Sequence, residues 1–543
     1  MDRGRSLSRF CWYFLLLAIS NAQSQTSQEQ AVKSMLKLLE PAASKGHPFP
    51  AIPGPRLHDK VCIVGAGPAG VHMGQRLKKL GHKNIKIFEK TNRVGGKSFD
   101  IKYRGTEQPQ GTIFFEANYF DNLVPLAQEY GAGEYVRIPP YNVWATNNAN
   151  DTDSKLRTSH FILQSVAKLT KSSDPATNTK YLIETLTQYV QAHKAMFGDY
   201  EGDLMPQPCG DVMKRIRGTF LDYLKREDML ALVPMFKLSH TLQGYGHLDE
   251  VSALYGLMWN NPKFMVALGL RALKKDYEPH SVFVLKDGFE KIWKNIVHKE
   301  DLNVIYNVDI LSIRRAWNGI FMTFWKDSSL KTEHCDFMIW TPPMPNFLRS
   351  FVDVRADEYY LFNGLNPEIF TANLVNMRNE IRNGPYNAFM ANIDRKVEGG
   401  VTGEAHLMGL LTMDIGTDEG LAKYDQNNAE TKTVSVLQLG KKLQDEETLN
   451  KILISHYTQG FNATDVEILN TVSWQYFPRW SPAEIEMGRH WQVFGMQGRQ
   501  NIWYAGSSVS FESIRGVMEY NNLLIRSMYH RVGWVEMFCS FCL

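Results

Sequence analysis

The chain has almost no excess of charge of either sign. Its 543 residues include 60 lysines and arginines against 57 aspartates and glutamates, which gives a formal net charge of +3. Most of that excess lies in Arg3, Arg5 and Arg9, close to the N-terminus. A nucleic-acid-binding protein normally carries a concentrated basic surface. We therefore expect no nucleic-acid partner.

Long hydrophobic runs are absent after the first residues of the chain. The run from Phe10 to Ile19 follows a basic start and precedes small residues ending at Ala22, which is the order of a secretory signal peptide. We expect residues 1–22 to be removed and the protein to be secreted or to reside in the lumen of the secretory pathway. The alternative is an uncleaved anchor, but a membrane span needs about 20 apolar residues. No later segment is predicted to cross a membrane.

Cysteine is scarce, and five cysteines remain after the N-terminal segment: Cys62, Cys209, Cys335, Cys539 and Cys542. Cys62 and Cys335 lie in or beside probable core strands, so we expect inert packing residues. In a secreted protein Cys539 and Cys542 are expected to be oxidised, with each other or with Cys209, because a metal site would need further ligands. Redox catalysis is disfavoured so close to the chain end. We expect no metal.

Internal repeats are also absent. Residues 23–57 combine a Gln- and Ser-rich stretch with four prolines between positions 48 and 55, a composition typical of a linker or a strap laid on the surface. The sequons at Asn150 and Asn462 match the N-glycosylation acceptor pattern. They are compatible with secretion, although such triplets also occur by chance.

The most informative segment present is the stretch from Lys60 to Gly70, an apolar strand that runs into Gly-x-Gly-x-x-Gly. Glu89 closes a second strand nineteen residues after the last glycine. In this order the glycines allow a tight turn and close approach to a pyrophosphate, and the acid takes the ribose hydroxyls. We assign five residues of this unit to a dinucleotide: Gly65, Gly67, Ala69, Gly70 and Glu89.

A second glycine turn follows directly and distinguishes between dinucleotides. Nicotinamide-binding domains do not need it, whereas flavoproteins of the glutathione-reductase and amine-oxidase type use an Arg-x-Gly-Gly turn against FAD. The cofactor candidates in this turn are Arg93, Gly95, Gly96 and Lys97.

The far end of the chain resembles the C-terminal FAD motif of the same superfamily. A strand ends in Ala505-Gly506-Ser507, and a helix is predicted from about Ile514 to Arg526. The helix dipole would favour negative charge on a reduced flavin. Many relatives carry an acid where Ser507 stands, so this contact is neutral here. The resemblance adds Gly506, Ser507, Val517 and, through its backbone, Val308 to the FAD-binding set.

These motifs predict an α/β fold, in which a Rossmann-like FAD-binding domain of the glutathione-reductase/amine-oxidase type is interleaved with a mostly helical substrate domain. We assign residues 58–105, 281–345 and 466–530 to the FAD-binding domain and residues 106–280 and 346–465 to the substrate domain. Residues 531–543 are a C-terminal tail. The length and the 44% hydrophobic content are sufficient for two domains.

The second domain carries a more selective resemblance. Gly244-Tyr245-Gly246-His247, Lys286-Asp287-Gly288, and the blocks from Trp474 to Pro478 and from Gly495 to Gly506 are similar to the FAD-dependent polyunsaturated (polyenoic) fatty acid double-bond isomerases of the flavin-containing amine oxidase superfamily. The similarity runs from about Lys60 to Leu524. It implies that a hydride leaves the carbon between two cis double bonds for flavin N5 and returns elsewhere, giving a conjugated diene.

Such a reaction needs a dry, shaped, apolar channel and no acid-base pair. The substrate-channel candidates are Phe114, Tyr119, Arg137, Tyr245, His247, Tyr476 and Phe511. Further aromatic wall candidates are Phe115, Phe120, Trp259 and Trp474. Most of these rings are equally compatible with ordinary core packing, and His247 with a structural role. Arg137 is proposed for the fatty carboxylate by position relative to the family.

Two other functions are compatible with the sequence. A secreted amine or amino-acid oxidase would reoxidise its flavin with oxygen and release hydrogen peroxide. A flavin- or lipid-binding protein without turnover is the third hypothesis, and it rests on the neutral Ser507. The substrate in the first case is a small-molecule lipid, and the oligomeric state is not predicted.

Overall fold

We analysed a computed structural model of the chain. It describes residues 49–103, 106–116, 119–137, 142–145, 156–198, 202, 204–241, 243–266, 283–378, 387–391, 401–408, 430–439, 445–461 and 463–529. The predicted signal peptide, most of the 23–57 linker, both sequon asparagines, Cys539, Cys542 and the tail lie outside these residues. Within the described part of the chain, no helix combines the length and apolar character needed to cross a membrane.

The strands are β1 Ile52–Pro53, β2 Val61–Val64, β3 Ile85–Phe88, β4 Asp100–Tyr103, β5 Thr106–Pro109, β6 Tyr135–Arg137, β7 Asn142–Ala145, β8 Leu156–Arg157, β9 Phe283–Leu285, β10 Asn303–Ile305, β11 Asp309–Ala316, β12 Gly319–Lys326, β13 Ser329–Cys335, β14 Phe337–Trp340, β15 Asn366–Arg378, β16 Asn387–Ala391, β17 Val401–Met408, β18 Glu430–Leu439, β19 Thr464–Arg479, β20 Ile502–Tyr504 and β21 Met528–Tyr529.

The α-helices are α1 Pro68–Lys79, α2 Leu123–Glu129, α3 Thr158–Thr170, α4 Pro175–Phe197, α5 Gly210–Arg215, α6 Phe220–Arg226, α7 Val233–Phe236, α8 Ala253–Trp259, α9 Glu290–Lys299, α10 Met344–Ser350, α11 Ala356–Phe362, α12 Glu446–Phe461, α13 Pro482–Glu486, α14 Arg489–Met496 and α15 Ile514–Ser527. Leu230–Leu232 and Arg499–Asn501 form 3₁₀ turns, and Lys237–Thr241 forms a π turn.

A five-stranded parallel sheet in the order β10-β3-β2-β14-β20 organises the first domain. The strands β2 and β14 are apolar along their whole length and fully buried, as expected for parallel strands covered on both faces. The helix α1 follows β2 across residues 65–67, and α15 follows β20 across residues 505–513. The five strands come from all three segments assigned to FAD binding, and the predicted Rossmann-like α/β fold class is confirmed.

The second domain contains a seven-stranded sheet that was not predicted. Its order is β19-β15-β18-β17-β16-β7-β8, and all pairs are antiparallel except β16 with β7. The strand β19 belongs to this sheet through its pairing with β15, although we had assigned residues from 466 onward to the FAD-binding domain. The predicted helices of residues 106–280 are present as α2 to α8.

Cys62 and Cys335 correct one sequence-based expectation. We expected inert packing residues, but the two sulfurs form a disulfide with a Cα–Cα distance of 5.7 Å across 273 residues of sequence. The cause is topological, because β14, which starts two residues after Cys335, pairs with β2 in parallel, with Met338 opposite Cys62. Cys209 is exposed and has no disulfide partner among the described residues.

Candidate functional site

A cavity of about 970 Å³ lies at the carboxyl ends of the central parallel strands. Val64 at the end of β2, Thr341 after β14 and Gly506 after β20 all line it. Ligands of open α/β sheets bind at this edge. The cavity extends to Phe370 of β15 and Tyr476 of β19, so it connects the two domains. Its volume is at the upper end of the about 300–1,000 Å³ that is usual for small-molecule sites.

The two glycine turns face each other at one end of the cavity. An added Cβ on Gly96 would lie 2.9 Å from the Cα of Gly67, and an added Cβ on Gly70 would lie 1.9 Å from the carbonyl oxygen of Gly65. Gly67, just before α1, has no such conflict, because its nearest neighbour would be 3.6 Å away. Gly70 is therefore needed for packing, whereas Gly67 leaves space open toward the cavity.

The amino end of α1 suits a bound anion. The first turn has no acidic residue and no side-chain cap, and the last turn carries Arg76, Lys78 and Lys79. The N–H groups of the first turn therefore remain available to a ligand, and the helix dipole adds positive potential at the same place. Gly67, Pro68 and Ala69 line the cavity at this end.

Glu89 lies at the nucleotide end of the cavity and is held by the backbone around it. Its carboxylate accepts hydrogen bonds from the backbone N–H of Ala66 at 2.7 Å and of Thr91 at 2.9 Å. The N–H of Val308 donates to the Glu89 carbonyl at 2.9 Å, and Val308 also lines the cavity. The hydroxyl of Thr91 also donates to this carboxylate at 2.8 Å. A carboxylate has about four acceptor positions, so Glu89 retains about one for a hydroxyl of a ribose.

Arg93 supports the second glycine turn and also lines the cavity. Its guanidinium donates to the carbonyl of Gly96 at 2.5 Å and stacks over the ring of Phe99 at 4.5 Å. Gly95 does not line the cavity, and its added Cβ would meet the Ser98 carbonyl oxygen at 2.5 Å. The turn is thus shaped by Arg93 and Gly95 and presents Gly96 to a ligand.

The C-terminal motif reaches the same cavity through Gly506, Ser507, Ile514 and Val517. Gly506 has φ +87° and a neighbouring carbonyl only 2.5 Å from an added Cβ, so no larger residue fits. The helix α15 is attached to α1 through Asn521, which donates to the carbonyl of Ala69 at 2.8 Å. Both helices therefore present their amino ends to one ligand.

Lys97 and Glu512 form an ion pair in the wall of the cavity that the sequence did not predict. The Lys97 ammonium donates to both Glu512 carboxylate oxygens at 2.7 Å. Glu512 is only 9% exposed. We had assigned Lys97 to the cofactor but had not selected Glu512, because the partners are 415 residues apart and no local pattern links them.

The other end of the cavity is aromatic. The ring centroid of Tyr476 lies 4.6 Å from that of Phe370 and 6.0 Å from that of Tyr245, and both pairs are nearly parallel. Trp259 lies 4.9 Å from Tyr245. The lining of this end also includes Phe114, Tyr119 and Trp474.

Each polar atom of the central rings is bound to a backbone carbonyl. Tyr476 donates to Gln243 at 3.1 Å and Tyr245 to Glu512 at 3.0 Å. The indole N–H groups of Trp474 and Trp259 donate to carbonyls at 2.8 Å. These bonds fix the rings and leave their apolar faces toward the cavity.

Burial raises the pKa of the tyrosine hydroxyls in this wall. The pKa of Tyr119 rises to about 12, and the pKa values of Tyr245 and Tyr476 rise well above the ordinary value for the same reason. These hydroxyls therefore stay neutral at physiological pH. They can position a ligand but do not serve as bases.

Among the predicted substrate residues, Phe511, His247, Phe115 and Phe120 lie outside the cavity lining. Phe511 packs behind the wall, stacked on Trp259 with centroids 5.8 Å apart. His247 is buried, and its carbonyl accepts from the N–H of Val251. Arg137 lies on β6 opposite Phe283, and Phe115 and Phe120 pack around the same Phe283. Among the described residues, no group of histidine, cysteine and carboxylate side chains could hold a metal.

Comparisons with known proteins agree with this geometry. Residues 63–130 match the model of the NAD(P)-binding Rossmann-like domain. The chain is 20% identical to the polyenoic fatty acid isomerase of Ptilota filicina over 87% of this chain and 95% of that one.

Solved structures have the same fold. The CLA-producing fatty acid isomerase from P. acnes has a TM-score of 0.62 at 20% identity, covering 87% of this chain and 99% of that one. Wild-type putrescine oxidase bound to putrescine has a TM-score of 0.55 at 13% identity, covering 87% and 98%. These findings confirm the resemblance derived from the motifs and the predicted fold class. They also support an enzyme that uses FAD.

Proposed function

We propose that the protein is an FAD-dependent isomerase that moves double bonds of polyunsaturated fatty acids into conjugation. The observation that carries the proposal is the continuity of one cavity, from the glycine turns at Gly67 and Gly96 to the aromatic end at Tyr245 and Tyr476. A cofactor bound at the first end would extend toward aromatic rings, of which Tyr245 and Tyr476 have their hydroxyls hydrogen-bonded to backbone carbonyls.

The residues at the nucleotide end fit FAD. The open Cβ direction of Gly67, the uncapped amino end of α1 and the carboxylate of Glu89 provide for a pyrophosphate and a ribose. The second contact, from Gly96 and the amino end of α15, suits a cofactor that extends further along the cavity. Val517 and Ser507 would lie against its far half.

When bound, FAD would supply reversible hydride acceptance at N5. The protein supplies positioning. Phe370 and Tyr476 present flat apolar faces, which hold a bent polyene and exclude water. The raised pKa values of Tyr245 and Tyr476 keep their hydroxyls protonated, so these hydroxyls do not act as bases toward the substrate. Positioning of one carbon, rather than acid-base catalysis, therefore determines the product.

The test is incubation of the purified protein with methylene-interrupted fatty acids without oxygen and without nicotinamide. We expect conjugated-diene absorbance, and deuterium on the bis-allylic carbon should reappear in the product and slow the reaction. The Gly67→Val variant, expected to lack the cofactor, is the matched negative control. Absence of conjugation from every polyunsaturated acid tried, with the flavin intact, would contradict the proposal.

The second candidate function is an amine oxidase, and one observation favours it. Lys97 lies 5.4 Å from the ring of Tyr476, which is itself nearly parallel to Tyr245, and paired rings can hold a cationic amine. The lysine charge, however, is paired with Glu512. Peroxide release in proportion to amine consumed would favour the oxidase. A flavin spectrum unchanged by amines and by fatty acids would favour a protein that binds without turnover.

We also propose that the protein enters the secretory pathway and loses residues 1–22. The buried Cys62–Cys335 disulfide supports this, because such bonds persist mainly in oxidising compartments. N-terminal sequencing of protein from culture medium should begin after Ala22. Retention of Phe10, or free thiols at Cys62 and Cys335 in freshly isolated protein, would contradict it.

A further inference from the structure

The Lys97–Glu512 pair lies between the nucleotide end and the aromatic end of the cavity. Lys97 follows the second glycine turn, and Glu512 precedes the amino end of α15. The hydroxyl of Tyr245 donates to the backbone carbonyl of Glu512, and the Lys97 ammonium lies 5.4 Å from the ring of Tyr476. A dinucleotide whose ribose reaches Glu89 would place its flavin half beside this pair.

Glu512 is held more firmly than a surface acid would be. Besides Lys97, its carboxylate accepts a hydrogen bond from the N–H of Phe477 at 2.8 Å. Phe477 has φ +46°, a conformation that is costly for an aromatic residue and that persists only where the surroundings impose it. The carboxylate is therefore fixed next to the lysine by the chain itself.

A positive charge beside a reduced flavin has a chemical consequence. When dioxygen oxidises reduced flavin, two electrons and two protons pass to dioxygen, which gives oxidised flavin and hydrogen peroxide. The first electron converts dioxygen to the superoxide anion, and a nearby cation stabilises that developing negative charge. An unpaired Lys97 would therefore promote the oxidase reaction.

We infer that Glu512 cancels the charge of Lys97 beside the flavin and so protects the reduced cofactor from dioxygen. This inference rests on the proposed function, because an isomerase must return its electrons to the substrate and gains from slow reaction with oxygen. Glu512 thus has a positioning and charge-compensating role. Removing the charge of Glu512 and removing that of Lys97 should change the rate of flavin oxidation by dioxygen in opposite directions.

The first measurement is the rate at which oxygen reoxidises dithionite-reduced holoprotein, followed by the return of flavin absorbance. No fatty acid is present, so the result does not depend on isomerase activity. Glu512→Gln keeps an acceptor for Phe477 N–H and removes the charge, and it should raise the rate about tenfold. Lys97→Met should lower the rate below that of the wild type. The double variant should fall close to the wild type.

The second measurement is the dissociation constant of sulfite, which adds reversibly to oxidised flavin and leaves negative charge on it. Glu512→Gln should bind sulfite about tenfold more tightly, and Lys97→Met more weakly. Glu519→Gln is the matched control, because Glu519 is on the same helix, accepts from Asn122 and does not line the cavity. It should match the wild type in both assays.

Equal rates and equal sulfite constants for wild type and Glu512→Gln would overturn the inference. So would changes of the same sign in Glu512→Gln and Lys97→Met, since a purely structural pair would impair both variants alike. If Glu512→Gln does not retain flavin, the test rests on Lys97→Met. Oxygen should reoxidise the reduced flavin of Lys97→Met more slowly than that of the wild type, and an equal or faster rate would overturn the inference.

Discussion

Replacing Gly67 by valine separates a role in cofactor binding from a role in packing. Gly67 has φ −75°, which any residue adopts, and an added Cβ would have Gly96 Cα 3.6 Å away as its nearest neighbour. The protein itself therefore accommodates the side chain. The branches would instead occupy the space in front of the amino end of α1, where a pyrophosphate would lie. We expect folded protein without flavin.

The expected loss of unfolding free energy is smaller for a substitution at Gly67 than for one at Gly70. Valine is a poorer helix N-cap than glycine, so the unfolding free energy of cofactor-free Gly67→Val should fall by about 1 kcal/mol. Gly70→Ala places a Cβ 1.9 Å from the Gly65 carbonyl oxygen. Because strand and helix must move apart, the loss there should be about 3 kcal/mol or more.

The assay must compare cofactor-free proteins. Bound ligand at a thousand times its dissociation constant adds about 4 kcal/mol of apparent stability, which would make any flavin-free variant look unstable. Flavin content is measured by absorbance and mass spectrometry of the released cofactor, and stability by denaturant unfolding of stripped protein. Full flavin occupancy in Gly67→Val, or release of NAD from the wild type, would refute the reasoning.

Three further predictions concern Asp100, His490 and Tyr476. Burial raises the pKa of Asp100 to about 7, so the folded state binds the carboxyl proton of Asp100 more tightly than the unfolded state does. Proton binding therefore stabilises the fold fully below pH about 4, and this stabilisation is lost as the pH rises through 7. Asp100→Asn has no carboxyl to ionise, so its free energy of unfolding in urea at pH 8 should be higher than that of the wild type. Equal free energies of unfolding would contradict this prediction. Burial lowers the pKa of His490 to about 3, so stability is lost as pH falls below about 6.5, where the unfolded state gains a proton. His490→Phe should reduce this acid sensitivity, and an unchanged pH profile would count against it. Tyr476→Ala should change the isomer ratio and lower the rate at the original carbon by about a hundredfold, whereas Tyr476→Phe should change the ratio little; chromatography of the products decides, and identical ratios in all three proteins would disprove a wall role.

The parts of the fold that sequence could predict are those encoded by neighbouring residues. The strand Val61–Val64, the helix starting at Pro68 and the strand Ile85–Phe88 follow from an apolar run, a glycine turn and a stop at Gly81. The strand Phe337–Trp340 is likewise a run of four apolar residues, and all four are buried. In each strand the apolar residues of the local sequence pattern are also buried in the folded protein.

The parts that could not be predicted depend on contacts between distant segments. The pairing of β15 with β19 joins positions about a hundred residues apart, and the sequence of neither strand indicates with which segment it pairs. The Cys62–Cys335 disulfide became apparent only when β2 and β14 were known to be neighbours. Glu512 was missed for the same reason, since an acid before a helix is ordinarily a solvated residue.

The hydrogen bonds of the aromatic wall connect the substrate end of the cavity to the cofactor end. Tyr245 donates to the carbonyl of Glu512, the carboxylate of Glu512 holds Lys97 beside the second glycine turn, and the same carboxylate holds Phe477 next to Tyr476. A shift of the wall would therefore move a residue that faces the cofactor. In the proposed reaction one carbon of a flexible polyene has to be kept over the reacting atom, and about 1 Å of displacement costs on the order of a hundredfold in rate. This connection would then give a physical reason for the bonds that tie Tyr245, Tyr476, Trp259 and Trp474 to backbone carbonyls.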